Sequence, residues 1–116
     1  MFGKILIVDD NPHMATLLSE MLAVFDYGTV ETNSCQHVLE ILAGETFDMV
    51  IADVQLSDMS GFKLLQTVKA AYPNIPFVLM TGYSTTHNYA NEPKPDGWLT
   101  RPLMMMDIEQ ILKTLL

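Results

Sequence analysis

Several short apolar runs in this chain end on side chains that could do chemistry. The run 5–8 leads into Asp9 and Asp10, the run 49–52 into Asp53, the run 77–80 into Thr81, and Trp98 and Leu99 lead into Thr100 and Arg101. Apolar runs without polar alternation are the pattern of strands buried on both faces of a parallel sheet, and the carboxyl ends of such strands are where ligands and reactive groups collect. Carboxylates brought within ~4 Å of each other would repel by about 4 kcal/mol at an effective dielectric near 20, so a cluster of them asks for a cation. Hard oxygen ligands filling only part of a coordination sphere, with the rest left to water and phosphate, suit Mg²⁺, and a main-chain carbonyl just after Asp53 could add a ligand. The plainer reading is that acids at strand ends are solvated loop residues; three of them at matching ends make it the weaker one.

The elements that must position these groups follow from the order of the chain. After the first acidic pair, Asn11 is a good helix cap and Pro12 a good first helical residue, and Met14, Leu17, Leu18, Met21, Leu22 and Phe25 recur at helical spacing. A weaker second strand spans 28–32, and Ser34 is placed to cap a helix with Val38, Ile41 and Leu42 on one face that Gly44 ends. The third strand delivers Asp53 into a loop, where Ser60 or Asp58 could cap the helix starting near Gly61. That helix carries Leu64, Leu65, Val68 and Tyr72 on one face and stops before Pro73. Between Tyr83 and Pro95 the helical pattern almost vanishes, with Tyr89 and Ala90 the apolar exceptions and Pro93 and Pro95 as breakers, so a short or irregular fourth helix is expected there. Ile108, Ile111, Leu112 and Leu115 give a final amphipathic helix. Repeated βα units of this kind imply a parallel sheet covered on both faces, with right-handed crossovers.

Composition narrows the function classes. A chain of 116 residues, 49% hydrophobic and 17% charged, reads as one globular domain over 1–116. With 14 acids against 6 bases and a formal charge of −8, it has no basic stripe to meet a phosphate backbone, so no direct nucleic-acid partner is expected. Cys35 is the sole cysteine, which rules out an internal disulfide. The opening residues carry no signal-peptide pattern and no run approaches the ~20 apolar residues of a membrane span; a cytoplasmic protein with no membrane partner is expected.

Taken together, Ile-Leu-Ile-Val-Asp-Asp-Asn at 5–11, Asp53 followed by Met59-Ser60-Gly61, Val-Leu-Met-Thr-Gly at 78–82 and Gly-Trp-Leu-Thr-Arg-Pro at 97–102 resemble the response-regulator receiver domain, over essentially the whole chain. The resemblance implies a doubly wound, flavodoxin-like α/β fold with a five-stranded parallel sheet in the order 2-1-3-4-5. It implies that Asp53 is the phosphoacceptor, that Asp10 and Asp53 bind Mg²⁺ directly with the Gln55 main-chain carbonyl, and that Asp9 assists the metal. It makes Thr81 the hydroxyl that contacts the phosphoryl group and Trp98 the switch aromatic. The phosphodonor would be a sensor histidine kinase or a phosphotransfer protein, and the recipient of the signal a downstream protein or a fused output domain. Homodimerisation is left open. Such a domain is no enzyme in the ordinary sense, since it catalyses only its own phosphorylation and dephosphorylation.

Three positions depart from the family pattern. Arg101 stands where the family has lysine before proline, and its planar, always-charged fork either binds phosphate bidentately or points away. The stretch 84–95 is short and polar, and Ser57 stands where proline is favoured. Tyr83 is placed to shield an acyl phosphate from water. Blander roles suit the rest: core filling for Met104, Met105 and Met106, a small buried hydrophobe for Cys35, and no metal site for His13, His37 and His87, which lack ligand spacing. Rival functions are weaker. A flavin site would set phosphate against Asp9 and Asp10, and an aspartate-nucleophile hydrolase would need a proton donor where Gln55 stands. The main alternative is a pseudo-receiver acting as a phosphorylation-independent interaction module, with Arg101 and the irregular stretch in its favour.

Overall fold

A computed structural model describes residues 2–82, 89 and 91–116. The elements run β1 (Gly3–Val8), α1 (Pro12–Val24), β2 (Tyr27–Thr32), a 3-10 turn (Cys35–His37) leading into α2 (Val38–Gly44), β3 (Met49–Asp53), α3 (Gly61–Ala71), β4 (Phe77–Thr81), β5 (Gly97–Thr100) and α4 (Met105–Leu115). All strands are parallel, in the order β2-β1-β3-β4-β5. The fold is a doubly wound, flavodoxin-like α/β sheet, as the family resemblance implied.

Period-two alternation of side chains along each strand divides the core into two layers. Leu6, Val8, Val50, Ala52, Phe77 and Leu79 face one side, where Val38 and Leu42 of α2 and Leu64, Leu65 and Val68 of α3 cover them. Ile5, Ile7, Met49, Ile51, Val78 and Met80 face the other, beneath Leu18 and Leu22 of α1 and Ile108 and Leu112 of α4. Every residue of β3 and β4 is buried, which is why their sequences show no polar alternation.

The strands are tied together at their amino-terminal ends by two lysines. Lys4 at the start of β1 donates its backbone N–H to Asp48 and its ammonium to Glu45. Lys69 of α3 pairs with Asp96, just before β5, and also donates to the carbonyls of Pro73 and Ile75. The Asp96 carboxylate accepts the Phe77 N–H at 2.8 Å, and its own N–H returns to the Phe77 carbonyl at 2.8 Å. Burial works against ionisation of Asp96, but the bonds from Lys69 and Phe77 outweigh it and hold the carboxyl below its ordinary range.

Two local expectations are corrected. Ser34 occupies the cap position of the 3-10 turn, but its side chain makes no capping bond. The Cys35 N–H donates instead to Asp58, 2.9 Å away in the loop after β3, a partner 23 residues distant that helix-start rules do not see. Met104, Met105 and Met106 are exposed rather than core filling, because the buried series of α4 begins only at Ile108. The expected irregular helix within 84–95 falls largely on residues 84–88 and 90, which lie outside the described residues, as does Tyr83. Residues 91–95 of that stretch are turn, bend and irregular chain.

Candidate functional site

Sheet register brings the chemistry-bearing residues to one edge. Val8 pairs with Ala52, Asp53 with Met80, and Thr81 with Thr100, so Asp9, Asp53, Thr81 and Arg101 all lie at matching carboxyl ends. The Asp9 N–H bonds to the Thr32 carbonyl at 3.1 Å, and the Arg101 N–H reaches both the Thr81 and Gly82 carbonyls at 3.2 Å.

Asp53 is buried, and both its carboxylate oxygens are engaged. Oδ1 accepts the Gln55 N–H at 2.9 Å, and Oδ2 accepts from the Arg101 guanidinium. Arg101 therefore points into the site, which decides between the two orientations left open by its sequence. The Arg101–Pro102 peptide bond is cis. Asp9 is also buried, at 4% exposure. Its Oδ1 accepts the Asn11 N–H at 2.9 Å, while Oδ2 is buried with no hydrogen-bond partner among the described residues. Burial pushes its carboxyl above the ordinary range, and the negative charges of Asp53 and Asp10 push the same way, against the Asn11 N–H and Arg101. Asp10 is exposed and lines, with Asp9, Glu31 and Asn33, a cleft of about 340 Å³ beside β2.

The loop after Asp53 is shaped by close packing against α3. Ser60 caps α3 by accepting the Lys63 N–H at 3.2 Å, so it, rather than Asp58, fills the position for which both were candidates. The Gly61 N–H bonds to the Val54 carbonyl at 2.8 Å. A Cβ at Gly61 would stand 2.2 Å from the Asp53 carbonyl oxygen and 2.8 Å from Val54 Cα, both backbone atoms that cannot turn aside. Asp58 anchors the middle of the loop to the 3-10 turn, and its bond to the Cys35 side chain holds its carboxyl low. Burial and then the Asp58 carboxylate push the Cys35 thiol up to about 12, so Cys35 is an inert, buried group as expected.

Thr81 is buried at 5% exposure, with its hydroxyl 3.4 Å from the Tyr89 hydroxyl. Tyr89 stacks on Trp98, with ring centroids 5.4 Å apart and planes within 9°, and both rings meet Phe62 of α3. Trp98 itself is 38% exposed. Sequence reasoning named Thr81 and Trp98 and missed Tyr89, although a tyrosine isolated in a polar stretch eight residues past Thr81 was a usable signal.

Chemically, this edge offers a buried carboxylate held by a cation, a second carboxylate whose Oδ2 has no hydrogen-bond partner among the described residues, and a hydroxyl. A buried, unpartnered carboxylate oxygen beside a like charge suits a hard cation, which would satisfy the oxygen and offset the repulsion. Among the described residues no three His, Cys, Asp or Glu side chains converge on a metal position, so these side chains alone form no cage.

Comparison with known proteins agrees with this architecture. A family model described as "Response regulator receiver domain" matches residues 5–113. The transcriptional regulatory protein ZraR of Escherichia coli K12 is 33% identical over 111 residues, covering 96% of this chain but 25% of its own length, so the chain spans about a quarter of that relative. Sporulation initiation phosphotransferase F of Bacillus subtilis is 32% identical over 108 residues, covering 93% of this chain and 86% of its own. Among solved structures, the receiver domain of a signal transduction histidine kinase from Syntrophus aciditrophicus superposes with a TM-score of 0.86 at 27% identity, over 97% of this chain and 89% of its own. With the acids, the hydroxyl and the cation gathered at the carboxyl edge of a 2-1-3-4-5 sheet, this chain belongs to the response-regulator receiver domain family.

Proposed function

We propose that this chain is one receiver domain over 1–116 that accepts a phosphoryl group on Asp53 from the phosphohistidine of a sensor histidine kinase or phosphotransfer protein, in a Mg²⁺-dependent reaction, and signals by changing conformation. The observation that carries this reading is the pairing of Asp53 with Arg101 beside the buried, orphaned oxygen of Asp9. Asp9, Asp10, Asp53 and the Gln55 carbonyl would hold the metal. When bound, Mg²⁺ supplies positive charge that offsets the phosphoryl oxygens and the clustered acids.

The chain's own residues do the positioning. A carboxylate oxygen of Asp53 attacks phosphorus in line, forming a P–O bond as the donor's P–N bond breaks and its electron pair returns to the imidazole. The Gln55 N–H holds Oδ1 and so fixes the orientation of the carboxylate. Arg101, already on the carboxylate, needs only to shift from Oδ2 onto an equatorial phosphoryl oxygen as charge builds there. Thr81 can turn its hydroxyl from Tyr89 to the phosphoryl group, and Trp98 then repacks, giving a two-state element biased by a local change of charge. Release of phosphate by water completes the cycle; beyond this self-directed chemistry the domain has no substrate to turn over. Among the described residues no helix is long and apolar enough to cross a membrane, which supports the cytoplasmic reading. A downstream protein or fused output domain would read the switched surface, without direct contact to nucleic acid.

The test is the intact mass after incubation with acetyl phosphate, with and without Mg²⁺, for the native protein and Asp53→Asn. A Mg²⁺-dependent gain of one phosphoryl group that disappears in the variant supports the reading and shows Arg101 serving in place of lysine. No gain under any condition supports the pseudo-receiver.

A further inference from the structure

We infer that Asp58 is a positioning residue for the phosphoacceptor: its carboxylate pins the tip of the loop after β3 to the 3-10 turn and so keeps Gln55 in place against Asp53. The inference rests on the proposed function for the reaction it serves, but not for the tether itself. The Asp58 carboxylate accepts the Cys35 N–H at 2.9 Å, and the Gln36 N–H and the Cys35 thiol also bond to it. At the root of the same loop Asp53 Oδ1 accepts the Gln55 N–H at 2.9 Å, and the Gly61 N–H bonds to the Val54 carbonyl at 2.8 Å. Gln55 faces Ser60 across an isolated antiparallel bridge.

These contacts divide the loop into a closed root and an open tip. Gln55 and Ser60 are held against each other, Leu56 and Met59 pack against the core layer under α2 and α3, and Ser57 and Asp58 stand exposed between them. Ser57 makes no hydrogen bond among the described residues, so Asp58 supplies the polar hold on the tip. A serine at 57 also leaves φ free to rotate where a proline would fix it, so the constraint has to come from a side chain. The N–H bonds to the ionised Asp58 carboxylate are charge-assisted, about twice as strong as neutral ones. The bond from the Cys35 thiol holds that carboxyl below its ordinary range and keeps the acceptor charged. The anchor is firm in turn, since Cys35 is buried in the core layer with Val38 and Leu42 of α2. Without the tether the tip gains conformations, and Gln55 at its foot loses a fixed orientation for both the N–H on Asp53 and the carbonyl offered to the metal.

Amide exchange and phosphoryl uptake test the tether together, in native protein, Asp58→Ala and the double variant Ser57→Pro with Asp58→Ala. Asp58 is exposed, so its removal leaves the core intact. The expected result on unphosphorylated protein is exchange of the Gln55 N–H about three- to tenfold faster in Asp58→Ala, the factor of a typical hydrogen bond, with the Val54 N–H, bonded to the Met80 carbonyl, unchanged. Adding Ser57→Pro should slow Gln55 exchange again, because the ring restricts the tip from within. With acetyl phosphate and Mg²⁺, Asp58→Ala should lower the maximal rate of phosphoryl gain by a similar factor at an unchanged half-saturating donor concentration, and the proline should restore it. Unchanged Gln55 exchange or unchanged uptake in Asp58→Ala, equal acceleration at Val54, or no recovery with the proline overturns the inference. If native protein gains no phosphoryl mass, the proposed function fails, while the exchange series still decides the tether.

Discussion

Replacing Arg101 by methionine removes the guanidinium from Asp53 while keeping a long side chain. In the metal-free protein this leaves the charges of Asp53 and Asp9 without the cation that partly offsets them, and Asp9 Oδ2 already has no partner among the described residues. Breaking a fully buried pair costs about 3–5 kcal/mol, whereas an exposed pair is worth about 0–1 kcal/mol. The side chains of Arg101 and Asp53 are 24% and 12% exposed, which puts the expected loss between these limits, at about 1–3 kcal/mol. For a domain of this size each kcal/mol shifts the melting temperature by about 3–6 °C. Thermal unfolding in a chelating buffer should therefore show a fall of roughly 3–18 °C in Arg101→Met. Adding Mg²⁺ should restore most of that fall, because a ligand at about a hundred times its Kd stabilises by about 2.7 kcal/mol. The native protein should gain less from the same Mg²⁺, since Arg101 already offsets Asp53 and has to share the carboxylate. Arg101→Lys should lie between the two. An equal fall with and without Mg²⁺, or no fall at all, would refute the argument that Arg101 stands in for a cation at this edge.

Two further outcomes can be checked separately. Gly61→Ala forces a Cβ to within 2.2 Å of the Asp53 carbonyl oxygen, so the loop or α3 must move; urea unfolding should show a loss of about 1–3 kcal/mol, with slower phosphoryl uptake on Asp53 measured by intact mass. Asp96 has a folded pKa held below its ordinary value of 3.8, so it stabilises the fold above that value and the contribution is lost as pH falls through the lower folded pKa. Asp96→Asn should therefore be less stable at neutral pH and show a flatter acid limb in a plot of stability against pH below about 4; an unchanged acid limb would mean that the Lys69 and Phe77 bonds do not hold the carboxylate.

The strands and their carboxyl-end residues were legible because each is a local pattern. A two-sided buried strand must read as an unbroken apolar run, and such runs stop where Asp9, Asp53 and Thr81 begin. Capping by Asn11 was legible for the same reason, since its side chain accepts from His13 and Met14 just downstream. What escaped depended on residues brought together by the fold. Asp58 caps a turn 23 residues earlier, Tyr89 reaches Thr81 from an unpatterned stretch, and the exposure of Met104 to Met106 depends on where α4 meets the sheet. Arg101 was ambiguous by nature, because a long cation can face either the site or water, and the carboxylate of Asp53 across the sheet edge settles which.

The lysine ties at the amino-terminal ends of the strands make the domain mechanically lopsided. Lys4 fastens β1 to the chain entering β3, and Lys69 with Asp96 fastens α3 and the start of β4 to the start of β5. The sheet therefore behaves as a cantilever, clamped at one end and loaded at the other. Sliding the strands past one another would break those ties, so a displacement at the carboxyl edge meets less resistance in the loops there than along the strands. The input can stay small because the far end does not yield.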